Sequence, residues 1–70
     1  MLHFDAIPAV VGRILQDRPA LARPRTLQER NAYQAKVINL IADAHKIPTA
    51  MLPDAVSIIG ASYAEYAPHR

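Results

Sequence analysis

The chain has 70 residues, with eight Lys or Arg against six Asp or Glu, a formal charge of +2, and no cysteine. That length supports one small domain; a disulfide and a thiolate metal site are excluded, and 51% apolar residues at so low a charge argue against disorder. Thirteen of the apolar residues are alanine, which leaves twenty large aliphatic, Met or Phe side chains for a core, a thin supply that chains of this size often supplement by association.

Met1 to Asp5 lacks the basic start and apolar run of a secretory signal, and no run of about 18 apolar residues spans a membrane. The expected location is cytoplasmic. Asp5 is placed to cap a first helix over about residues 6–17, with Pro8 tolerated in its opening turn. Ile7, Val10, Val11, Ile14 and Leu15 recur at the helical spacing. Arg18-Pro19 ends that helix, because the residue before proline is pushed out of the helical region. Residues 18–25 form a connector with room for one helical turn.

Thr26-Leu27-Gln28-Glu29 has the spacing of a capping box, in which a Thr and a Glu side chain satisfy each other's backbone N–H groups. The helix it opens, about 27–46, contains neither Gly nor Pro, and Pro48 follows it. A third helix, about 50–66, starts near Thr49 or Met51, takes Pro53 in its first turn and stops before Pro68. Leu52, Val56, Ile59, Tyr63 and Tyr66 share one side of it. Together these signals predict an all-α domain over residues 1–70, a helical hairpin with a short N-terminal helix, organised around the second helix and packing as a helical homodimer.

Projected at about 100° per residue, the apolar positions of the second helix fill an arc of roughly 180°, against a little over 100° for a helix with one neighbour. Either both other helices sit on it, or its edge meets a second chain. The second possibility predicts a homodimer through Leu27, Ile38, Ile41 and His45, joined by Ile59 and Gly60 of the third helix. Ala55, Gly60, Ala61, Ala64 and Ala67 leave room there for a close neighbour. Gly60 costs about 1 kcal/mol relative to Ala in mid-helix, which implies a packing reason. Tyr63 and Tyr66 offer large area with a polar tip, as interface tyrosines do.

Charge is uneven. Arg13, Arg18, Arg23, Arg25 and Arg30 face only Asp17 and Glu29 over residues 13–30, whereas residues 31–70 balance. Arginine suits bidentate contact with carboxylate or phosphate. Arg18, Arg23 and Arg25, with Tyr63 and Tyr66, are therefore the candidate partner-binding residues, and an acidic protein surface is the favoured partner. Residues 41–52 superficially resemble the turn of a helix-turn-helix, but Lys46 stands where glycine is usual. The would-be recognition helix starts Thr49-Ala50-Met51-Leu52-Pro53-Asp54, with no Arg, Lys, Asn or Gln for base edges. Nucleic acid is disfavoured on that ground.

His3, His45 and His69 are scattered, Gly12 and Gly60 are isolated, and no metal-ligand, phosphate-loop or triad spacing appears. No metal, cofactor or catalytic residue is expected, and the chain is not read as an enzyme. The expectation is a small helical protein–protein interaction module that regulates or inhibits a larger protein, similar in size alone to small phage- or plasmid-encoded regulators. A basic nucleic-acid-binding regulator with a degenerate helix-turn-helix is the alternative, and a structural assembly subunit the second.

Overall fold

The computed structural model describes residues 2–67. Prolines and one left-handed residue divide them into three α-helices, α1 (Ile7–Asp17), α2 (Leu27–His45) and α3 (Leu52–Tyr66). Short 3-10 turns precede α1 at Phe4–Ala6 and α3 at Thr49–Met51, and a third occupies Pro19–Ala22 in the connector. No strand occurs among the described residues, so the chain is all-α.

The helix ends follow local chemistry, with three departures from expectation. Asp5 does not cap α1: it lies inside the 3-10 turn, the N-cap is Ala6 without a side-chain bond, and Pro8 fills the first turn. At α2, Thr26 Oγ1 accepts from the Glu29 N–H at 3.0 Å, but Glu29 Oε1 accepts from the N–H of Arg25 at 3.1 Å, one residue before the partner a capping box requires. The extended φ and ψ of Thr26, −127° and 163°, accompany that shift.

The third departure is at the end of α2. Lys46, not Pro48, stops the helix by turning left-handed, φ 49° and ψ 53°, while the Ile47 N–H closes the turn onto the Ala42 carbonyl at 3.3 Å. This position favours glycine, and a side chain there costs about 1 kcal/mol. Lys46→Gly is therefore expected to stabilise the fold by about 1 kcal/mol, read as a rise in the thermal midpoint of roughly 4–8 °C.

α3, not α2, is the shared element of the bundle. It packs most extensively on α1, next on α2, and α1 and α2 touch least. The reason lies in its composition. Ala55, Ile59, Ser62, Tyr63 and, just beyond its end, Ala67 are buried, and small side chains let two neighbours approach. Leu52 is half-buried and Val56 and Tyr66 are exposed, so the buried face is rotated from the expected one. α2 buries only Val37 and Ile41, with Tyr33 and Ile38 packed at the margin. Its broad arc is thus half used. From α1, Ile7, Val11 and Leu15 enter the core, with Val10 and Ile14 beside them.

α3 runs antiparallel to α2, since Gly60 faces Gln34 and Tyr63 lies within the field of Arg30. It runs parallel to α1. Leu2, Phe4, Ile7, Ile47 and Met51 converge on a nearly filled apolar hollow at one end, and Gly12 meets Tyr66 towards the other. That other end therefore collects the end of α1, the connector, the start of α2 and the end of α3. The arginines are there.

Candidate functional site

The connector between α1 and α2 is bound to the bundle. α1 ends where Arg18 turns out of the helix, its N–H still donating to the Ile14 carbonyl at 2.9 Å. Pro19–Ala22 then makes one 3-10 turn whose Leu21 is buried, only 6% exposed. The Tyr63 hydroxyl, fully buried, donates to the Leu21 carbonyl at 2.7 Å, across 42 positions of sequence. Pro24, three residues on, has no N–H to close a turn onto the Leu21 carbonyl, and leaving a carbonyl buried without a donor costs free energy. Tyr63 supplies that donor, so one hydrogen bond from α3 and one leucine buried in the core hold the arginine-bearing connector on the bundle.

Arg18, Arg23 and Arg25 project from this anchored segment and are all exposed. Arg30, on the first turn of α2, is half-buried near Tyr63. Among the described residues, the side-chain hydrogen bonds are those of Thr26, Glu29 and Tyr63, so no guanidinium donates one. The arginines are free to meet an outside acceptor. Burial pushes the Tyr63 phenol above its ordinary value of 10.0; the positive charge of Arg30 opposes that shift and Tyr33 adds to it.

Beside this segment lies an open groove of about 670 Å³, lined by Ala9, Gly12, Arg13, Gln16 and Ala22, with Leu15 beneath and Tyr66 as a wall. Gly12 makes that wall possible: a Cβ there would stand 3.1 Å from Tyr66 Cζ and 3.3 Å from its hydroxyl. The ring leans on the missing side chain and remains 48% exposed. Sequence pattern gave no hint of this pairing, because Gly12 and Tyr66 are brought together only by the parallel packing of α1 and α3.

The residues expected at interfaces separate into two groups. Tyr63 is not a surface residue, and Ile41 and Ile59 belong to the chain's own core, with at most 1% exposure. These three are unavailable to a partner while the domain is folded. Gly60 is half-buried against the Gln34 amide of α2, 2.9 Å from the place of a Cβ, so its close neighbour lies within the chain. Leu27 is 61% exposed, His45 is exposed and Ile38 half-buried, and these remain on the surface with Val56 of α3. Tyr66 also stays accessible.

His69 and Pro68 fall outside the described residues. Among those described, no group of three or more His, Asp or Glu is placed to hold a metal ion, and no helix is long and apolar enough to cross a membrane. His3 and His45 border one hollow at the opposite end, together with Lys46. Comparison with protein-family models, with curated proteins and with solved structures gives no match.

Proposed function

We propose that the chain is a small helical protein–protein interaction module whose arginine-bearing end engages an acidic surface of a larger protein and thereby regulates or inhibits it. The observation that carries this reading is the anchored connector. Three exposed arginines sit on a segment fixed by Leu21 and the Tyr63 hydroxyl, and a fixed segment loses less conformational entropy on binding than a free loop. Guanidinium groups there match carboxylates in fork geometry.

A nucleic-acid partner is less well supported. α3 contains no Arg, Lys, Asn or Gln from Leu52 to Tyr66 and is packed on both other helices, whereas a recognition helix must present a polar face to the groove. Pairing of two copies along α2 has its own support in the exposure of Leu27 and Val56, since solvent-facing aliphatic side chains are candidates for burial by association. Light scattering at micromolar concentration tests that pairing: about twice 7.7 kDa is expected, and a folded monomer contradicts it.

The test of the main reading is affinity capture from a cell lysate with and without nuclease, joined to fluorescence anisotropy with duplex DNA and single-stranded RNA. Capture of a protein that survives nuclease is expected, with nucleic-acid binding lost between roughly 50 and 200 mM salt. Sequence-selective binding of DNA or RNA that persists at the higher salt contradicts it.

A further inference from the structure

We infer that the groove between α1 and the end of α3 receives a short acidic peptide segment of the partner protein, carrying an apolar residue that seats on the small side chains of the floor against the Tyr66 ring. This inference rests on the protein-binding reading and adds to it a second contact, with a different chemistry from the exposed arginines of the connector.

Three observations define the occupant. The floor is small and apolar, made by Ala9, Gly12 and Ala22 over Leu15, and the Tyr66 ring stands beside it with nearly half its surface open to solvent. An aliphatic side chain laid there removes apolar area from water on both sides of the contact. The polar groups at the rim are the Arg13 guanidinium, the Gln16 amide and the Tyr66 hydroxyl, and among the described residues no acidic side chain lines the groove. Arg13 is a donor in search of an anion, and the groove offers it a position beside an apolar seat. Finally, positive charge is in excess around it: Arg18 and Arg23 flank Gln16 and Ala22 and join Arg13, against the exposed Asp17 and Glu65.

A carboxylate next to a leucine-like side chain satisfies both parts at once. A nucleic acid does not. Its phosphates could meet the guanidinium, but a nucleic acid brings no aliphatic side chain to cover the small apolar floor. The volume, about 670 Å³, is in the range of clefts that hold a few side chains, and its openness along α1 suits a segment of chain better than an enclosed small molecule.

The experiment is a nitrogen-15 amide titration of the full chain at physiological salt with the peptide Glu-Glu-Asp-Leu-Leu-Glu-Glu. Control probes replace the two leucines by glycine, replace the acidic residues by lysine, or substitute oligothymidylate. Saturable shifts at Ala9, Gly12, Arg13, Gln16 and Tyr66 are expected for the first peptide, and weaker binding for every control. Arg13→Glu, at an exposed helix position, should weaken binding by about tenfold or more, equivalent to about 1.4 kcal/mol. Tyr66→Ala, which opens the wall without touching the buried core, should weaken it with an unchanged helical circular-dichroism signal.

Shifts confined to Arg18, Arg23 and Arg25, or equal affinity for the glycine control, overturn the groove and leave the acidic-partner reading standing. Absence of binding by every acidic peptide also overturns the groove. Binding of oligothymidylate alone overturns both.

Discussion

Tyr63→Ala is expected to remove much of the protein's stability. Tyr63 is the largest fully buried side chain, and truncating a buried aromatic residue costs about 3–5 kcal/mol through lost transfer energy and the cavity left behind. Seventy residues at about 0.05–0.15 kcal/mol each hold about 4–10 kcal/mol of net stability, so the loss takes from about a third to all of what is available. Tyr63→Phe separates the ring from its hydroxyl. The ring remains packed, but the Leu21 carbonyl loses its donor, at a cost of about 1–3 kcal/mol. The Phe variant should stay helical, with a lower thermal midpoint and faster amide exchange across residues 18–25. Equal exchange there in the Phe variant and the parent would show that the hydroxyl does not hold the connector.

The same phenol gives the fold an alkaline limit. Its folded value is raised by burial above the ordinary 10.0. Below the unfolded value, near 10, both states keep the proton and the contribution to stability is fully present. As pH rises beyond that, the unfolded chain releases its proton first, and stability falls until the folded phenol also ionises. Chemical denaturation midpoints measured from neutral pH upward should therefore decline from about pH 10, and the part of the decline due to this phenol should vanish in Tyr63→Phe. A parent and variant with parallel pH profiles would contradict the assignment.

Much of the local structure is legible in the residues themselves. The Ile7–Leu15 stripe, the Thr26 cap and the break at Arg18-Pro19 are short-range signals, decided by neighbours in sequence. What pairs with what is decided over distance, and there pattern alone misleads. The wide arc of α2 suggested a central helix, but Leu27 at its start finds no neighbour to cover it. α3 became central because its alanines and Gly60 permit approach on more than one side, a property of missing volume that periodicity does not measure. Ile41, Ile59 and Tyr63 read as interface residues for the same reason: apolarity marks a side chain for burial without saying by which chain. The candidate site was legible only as a charge excess. That the arginine segment is tied down by Leu21 and Tyr63, and adjoins a groove whose Tyr66 wall rests on Gly12, depends on contacts 42 or more positions apart, which no local window contains.

Removing the three exposed arginines together should have the largest effect on function. Each ion pair at a solvent-accessible rim is worth up to about 1 kcal/mol, so Arg18→Ala, Arg23→Ala and Arg25→Ala combined should cost up to about 3 kcal/mol, as much as roughly a hundredfold in affinity. Stability should hardly change, since none of the three side chains makes a hydrogen bond within the described domain and surface substitutions of this kind usually fall within about 0.5 kcal/mol. The decisive measurement is the dissociation constant of the nuclease-resistant protein partner for the parent and the triple variant, side by side at physiological salt, with helical circular dichroism recorded on both. The arginine-bearing end as a protein-docking surface predicts a loss of between about threefold and a hundredfold with an unchanged helical signal; equal affinities for the two proteins would contradict it.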